Sequence, residues 1–324
     1  GSAPCEKLPV LLKMFPGKKF LCVDPNYHSF HAPDARPVIV YQNVDRISSD
    51  TIANARKDMR LADRTHLSGE DKKRLQNIRL QDKPTMYKSE YRGDMTKPAE
   101  PKHAATMRKI QQDFESENYK TMVADLIRGD SRVYIIQDYM TEALCKLIAA
   151  SIKSADAEIK SRVRICFISD LRTVFFKSAP IDLDYMWNDA LQLIFLKILR
   201  PDWSMLKFHP PYFDLKTSMP LIDEMVAGSK RHLMFPVMLT DFKTCREIYG
   251  LDFLANYKAA ADSHVYTYFK SSNIWLQAWA PMASSEARLI ISKSDVDAPY
   301  QKYDARIWDD RFTYSKIMRG HAYY

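Results

Sequence analysis

An α/β fold built on a mainly parallel sheet is predicted by three observations. Short aromatic and β-branched runs alternate with helical patterns, several of those runs end beside an acid, and 46% of the chain is apolar. At 324 residues the chain can hold one large α/β domain or two small ones. A net charge of +8 favours polyanionic partners over acidic proteins, and the excess is spread along the sequence. No apolar run reaches the length of a membrane span, and the N-terminus lacks the order of a signal peptide, so a soluble, intracellular protein with no membrane association is expected. Cys5, Cys22, Cys145, Cys166 and Cys245 are odd in number, unpaired by spacing and mostly embedded in apolar patterns, which predicts reduced core thiols. No metal site is expected, because His28 and His31 lack further ligands at useful spacing.

The elements follow in order. A turn at Gly1-Ser2-Ala3-Pro4 precedes a helical pattern through Leu12 and Phe15, then Gly17 and a strand Phe20–Val23 that ends in Asp24. Turn, helix, strand and acid is how an α/β nucleotide-binding unit begins, with the acid placed for ribose hydroxyls. The opening Gly1-Ser2 also reads as a remnant of tag removal. Residues 45–129 change character, with polar helical stretches and a Lys-, Pro- and Glu-rich loop near 97–102, and read as an inserted, mainly helical subdomain. That insert is either a solvated structural piece or an RNA-binding or partner-docking one.

Alternation resumes with a strand at Val133–Ile136, a helix at Thr141–Ile152, a strand at Val163–Ser169 and a long apolar helix near Leu183–Leu199. A strand at Met205–Phe208 leads into a second insert near 217–263, then strand-like Ile274–Trp279 and Arg288–Ile291, and a helical pattern around Ile307–Met318. In a parallel sheet the site lies beyond the carboxyl ends of the strands, so Asp24 and Asp170 are expected at one crevice. The organisation is thus 1–44 and 130–324 as one domain interrupted by 45–129, with a further insert near 217–263.

Ile168-Ser169-Asp170-Leu171-Arg172, Ser204-Met205-Leu206-Lys207-Phe208 and Ser284-Ser285-Glu286-Ala287-Arg288-Leu289 each put an ionisable residue in or beside a strand. With Leu276-Gln277-Ala278-Trp279-Ala280-Pro281 and Gly1-Ser2-Ala3-Pro4-Cys5, they resemble the poxvirus-type cap-specific mRNA (nucleoside-2'-O)-methyltransferases of the FtsJ-like superfamily. The resemblance covers about two thirds of the chain, skips both inserts, and is most specific in the spacing of Asp170 and Lys207. It implies a Rossmann-like methyltransferase sheet with two inserted helical segments, S-adenosyl-L-methionine as cofactor, and capped mRNA or another RNA as partner.

Carried over by position, Gly1, Ser2, Ala3 and Pro4 wrap the cofactor, Asp24 binds its ribose, and Tyr139 and Met140 line its adenine. Asp170, Lys207 and Glu286 stand at the catalytic positions, with Asp170 also near the sulfonium. Lys207 is then the general base or the residue that orients the ribose hydroxyl, and the two carboxylates orient it. Tyr212 takes the position that stacks on the methylated guanine, while Asp214 and Gln301 take positions at its edge. Two departures stand out: Cys5 replaces the last glycine of the turn, and the family's first catalytic lysine, which precedes that turn, has no counterpart in these residues. The implied activity is RNA 2'-O-methylation at the cap. The alternatives are a catalytically inactive cap- or RNA-binding scaffold and a ribosomal-RNA 2'-O-methyltransferase.

Overall fold

Short runs with period-two burial become strands here, and longer runs with apolar residues three and four apart become helices. The computed structural model describes residues 8–24, 38–40, 117–129, 132–136, 140–171, 180–227, 234–271, 273–276 and 287–323. The chain divides into two units, Gly1–Met86 with Thr106–Arg162 and Tyr87–Ala105 with Val163–Tyr324.

The described part of the first unit comprises α1 (Leu8–Met14), β1 (Phe20–Val23), β2 (Val38–Val40), α2 (Glu117–Arg128), β3 (Val133–Ile136), α3 (Glu142–Ser154) and α4 (Ala157–Arg162). Its strands form a parallel sheet in the order β1-β3-β2, with Phe20 opposite Val133 and Val38 opposite Tyr134. Leu8 and Leu12 of α1 pack on Cys22 and Val133, flanked by Leu11 and Phe20. Gly17, at φ 77°, supplies the left-handed turn between α1 and β1 that side chains resist. Two basic residues close helix ends. Arg132 donates to the carbonyls of Leu12 and Phe15, each at 3.0 Å, and Lys19 donates to those of Leu126 at 2.8 Å and Gly129. Thr141 caps α3, its hydroxyl accepting from the Leu144 N–H at 3.2 Å.

The second unit contains β4 (Cys166–Ser169), α5 (Asp182–Leu199), β5 (Trp203–Phe208), α6 (Leu215–Val226), α7 (Met234–Tyr249), α8 (Phe253–Ala259), β6 (Val265–Tyr268), β7 (Asn273–Leu276), β8 (Ala287–Ser292), α9 (Lys293–Val296), β9 (Gln301–Asp304) and α10 (Ala305–Tyr323). Its main sheet runs β4-β5-β8-β7, and β6 pairs with β9 in a separate antiparallel ribbon. β4 and β5 are parallel and joined through α5, whereas β8 runs antiparallel to both β5 and β7. The mainly parallel sheet read from the sequence is therefore mixed in this unit. Residues 277–286 are too few for the dozen-residue crossover that a parallel return from β7 to β8 requires.

One face of this sheet is covered. Ser204, Leu206 and Phe208 of β5 and Ala287, Leu289 and Ile291 of β8 are buried on it, Phe167 meets Phe195 of α5 edge-on, and Phe208 stacks on Tyr268 at 6.0 Å. Aromatic pairs of this kind add about 0.5–1.5 kcal/mol each to the burial of their area. The opposite face leaves Ile168, Trp203 and Trp275 more than half exposed. Cys166 is exposed there too, so the expectation of core thiols holds for Cys22, Cys145 and Cys245 but not for Cys166. Among the described residues no helix is long and apolar enough to cross a membrane.

Candidate functional site

The alternation of β5 puts Trp203, Met205 and Lys207 on the open face of the sheet. Register extends this face sideways: Lys207 lies opposite Arg288 of β8, and Arg288 lies opposite Trp275 of β7. Asp170 follows Ser169, the last residue of β4, and its Oδ1 stands 3.4 Å from the Lys207 Nζ. Asp170, Lys207, Arg288 and Trp275 thus form one cross-strand row over four strands, at the carboxyl ends of the parallel pair β4 and β5.

Asp170 receives both cations. The Arg288 guanidinium donates to Asp170 Oδ1 at 2.7 Å and to the Ser169 carbonyl at 3.5 Å. Burial works to raise the Asp170 carboxyl, but Lys207 and Arg288 together outweigh it and hold the group below the ordinary aspartate range. The Lys207 side chain is 10% exposed and that of Asp170 44%, so the carboxylate faces outward and the amine inward. From beneath, the buried Gln192 of α5 donates its Nε2 to the Lys207 carbonyl at 3.2 Å, fixing the strand at this point.

α5 positions the loop that leaves β5. Asp182, 1% exposed at the first turn of the helix, accepts the Tyr212 N–H and the Asp214 N–H, both at 2.7 Å, and the Tyr257 hydroxyl at 2.6 Å. Between those amides Phe213 adopts φ 57°, a costly conformation for a bulky residue, and it stacks on Tyr257 at 5.1 Å. Burial raises the Asp182 carboxyl above its ordinary value even though Tyr257 and the two amides pull it down. Burial likewise raises the Tyr257 hydroxyl, with the Asp182 charge adding to the effect. The loop so held presents Tyr212, 43% exposed, to a cavity of about 180 Å3 lined also by His209, Pro211, His264, Ala305, Arg306 and Asp309. Behind Tyr212, His209 is buried and stacks on Phe312 at 4.8 Å.

The structure brings together Asp170 and Lys207. Glu286, Tyr139 and Gly1–Pro4, the remaining catalytic and cofactor positions read from the sequence, lie outside the described residues. Asp24 is buried at the end of β1, its N–H donating to the Ile136 carbonyl at 3.1 Å, and the half-buried Met140 precedes the cap of α3; both belong to the first unit. Of the three residues assigned to the guanine, only Tyr212 lines the cavity. The Asp214 carboxylate instead caps α6 by accepting from the Thr217 N–H at 3.3 Å, and Gln301 starts β9 at the end opposite Ala305, which does line it.

Sequence reading missed Arg288, Asp182 and the cavity residues His264, Arg306 and Asp309. Arg288 had a signal, being a lone cation in an apolar strand pattern. Asp182 had one too, as an acid at a helix start, but its partners are far along the chain. Among the described residues there is no cluster of three or more His, Cys, Asp or Glu side chains that could hold a metal ion. No family model matches the chain. The comparison with curated proteins gives no match.

Proposed function

We propose that this chain is an S-adenosyl-L-methionine-dependent RNA 2'-O-methyltransferase with a Rossmann-like sheet, acting on the capped 5' end of mRNA. The observation that carries this reading is the contact of Asp170 with Lys207 at the carboxyl ends of two parallel strands, where α/β sheets place their chemistry. Among the described residues of the second unit, Asp170 fits the cofactor by its chemistry, a half-exposed carboxylate suiting a sulfonium cation. When bound, S-adenosylmethionine supplies an electrophilic methyl group.

The chain's own residues do the rest. Lys207 Nζ, when in its neutral amine form, holds the ribose 2'-hydroxyl and takes its proton as the oxygen attacks, and Asp170 keeps the amine aimed. Arg288 keeps a cation beside Asp170 in either protonation state of Lys207. Tyr212 offers an aromatic face to a methylated guanine, whose positive charge strengthens the stack. Asp24, Glu286 and the Gly1–Pro4 turn enter on the sequence resemblance alone.

The test is calorimetry of S-adenosylmethionine binding, then methyl transfer to capped RNA. Lys207→Ala should abolish transfer while leaving RNA binding in place, and Tyr212→Ala should lose retention on an immobilised cap analogue. Unchanged transfer by Lys207→Ala would refute the mechanism. A second reading, a catalytically inactive cap- or RNA-binding scaffold, is favoured by the Arg288 bond, which gives Asp170 a structural task as well. Cap retention without cofactor binding would select it.

A further inference from the structure

We propose that Asp182 is the positioning residue of the cavity beside Tyr212, a buried carboxylate that holds the tyrosine ring in its ligand-binding place before any ligand arrives. The inference deepens the cap-binding reading and rests on it for the ligand, a methylated guanine nucleotide. Asp182 is buried and is not among the residues that line the cavity, so it acts through the main chain. Its Oδ1 accepts the Tyr212 N–H and its Oδ2 the Asp214 N–H, which ties the residues on both sides of Phe213 to one carboxylate.

The tie opposes backbone strain. Phe213 stands at φ 57°, a region that bulky residues avoid, and such strain persists only where the surroundings over-determine it, as ligand clamps do. Tyr257 completes the clamp, its hydroxyl donating to the same Oδ2 at 2.6 Å and its ring stacking on Phe213 at 5.1 Å. The Phe213 ring also meets His264 at 5.2 Å, and His264 lines the cavity together with Tyr212. His264 is left-handed too, at φ 56°, and is bonded on both sides: its N–H donates to the Ala260 carbonyl at 2.8 Å, and its carbonyl accepts from the Ala305 N–H at 2.9 Å. Among the described residues three non-glycine backbones are left-handed; Arg200 ends a helix, and the other two border this cavity. The Tyr212 ring is braced as well, edge-on by Tyr185 at 5.8 Å and by His209 at 4.4 Å. A ligand that stacks on Tyr212 therefore meets a loop already ordered, and its binding is spared the entropy of ordering one.

The experiment titrates the full chain with a soluble cap analogue, methylated guanosine triphosphate, and follows hydrogen exchange of the Tyr212 and Asp214 amides without it. The proteins are the parent, Asp182→Asn, Tyr257→Phe, Tyr212→Ala, and Tyr212→Ala combined with each of the first two. Asparagine keeps the shape of Asp182 but offers one oxygen, which serves the two donors at Oδ2 and leaves an NH2 group facing the Tyr212 N–H. Affinity for the analogue should fall about three- to tenfold, the cost of ordering a loop and its ring on binding, and the Tyr212 amide should exchange faster. Tyr257→Phe, the milder change, should do the same to a smaller degree and carries the test if Asp182→Asn does not fold. In the Tyr212→Ala background neither change should weaken binding further, because both act through that ring. Additive losses there would overturn the positioning role in favour of a general loss of structure. Parent-like affinity in both single variants would also overturn it and leave the cap-binding reading standing. A parent that does not bind the analogue would remove the cap-binding reading; protected Tyr212 and Asp214 amides that open in the variants would still support the positioning role, and unprotected ones would overturn it.

Discussion

Lys207 and Arg288 face each other across β5 and β8, so two cationic side chains stand side by side on one face of a sheet. Like charges in directly opposed positions destabilise a strand pair unless a counter-charge separates them. Asp170 is that counter-charge, and it reaches both.

Arg288→Ala should therefore move the Asp170 titration. The folded carboxyl lies below its unfolded value, so the pairing stabilises the fold above the ordinary aspartate range. That contribution is lost as pH falls through the folded value. Without Arg288 the value rises toward normal, and acid unfolding should begin at higher pH. Carboxyl carbon chemical shifts followed through an acid titration measure this directly, and an unmoved Asp170 would mean that Lys207 alone holds it.

Tyr257→Phe removes a charge-assisted bond from Asp182 and should cost about 1.5–3 kcal/mol at neutral pH. The sign with pH is opposite to that of Asp170. The Asp182 carboxyl lies above its unfolded value, so its ionisation costs stability as pH rises from the unfolded value through the folded one. The hydroxyl of Tyr257 lowers that folded value, and the variant's deficit should be larger at about pH 7 than at about pH 4. Urea unfolding at both values provides the comparison, and an equal deficit at both would exclude Asp182 as the group responsible.

How much was legible in the chain follows from these two carboxylates. Strands at Phe20–Val23, Val133–Ile136 and Met205–Phe208 show in their composition, and the Asp170 to Lys207 spacing shows as a pattern. The direction of β8 against β5 does not, because alternation is the same for parallel and antiparallel strands, and only the shortness of 277–286 speaks for an antiparallel β7–β8 pair. α5 reads as an apolar helix, yet it buries Asp182, Asp184, Asn188, Asp189 and Gln192. Asp182 and Asp189 are tolerable there because partners arrive from distant segments, such as Tyr266 donating to Asp189 at 2.7 Å, and no local window holds both ends, whereas Asp184 accepts from the nearby Ile181 N–H at 3.1 Å.

Arg200→Gly should be neutral to about 1 kcal/mol stabilising. Arg200 ends α5 at φ 47°, where glycine escapes a steric cost of about 1–2 kcal/mol. The ion pair with Asp297 that it would lose is half exposed on both sides and so weak. Thermal unfolding of the variant gives the answer, and a clear loss of stability would show that the ion pair outweighs the backbone strain.

Cys166 should react with iodoacetamide well before Cys22, Cys145 and Cys245 in the native protein, since only it is exposed among these four. Peptide mapping after brief labelling reads this out. Comparable labelling of Cys145 would indicate that α3 opens on the same timescale.

The spacing of Asp182 and Asp189 makes α5 a fixed-length ruler. Seven positions, about two turns, set apart two carboxylates that accept the hydroxyls of Tyr257 and Tyr266. A single inserted residue between them would rotate one carboxylate by about 100° away from its tyrosine, whatever the residue. Inserting seven residues between them nearly keeps the phase but lengthens the helix by about 10 Å, and so pulls Gln192 away from the Lys207 carbonyl. The helix should accept many changes of letter on its surface and almost none of length.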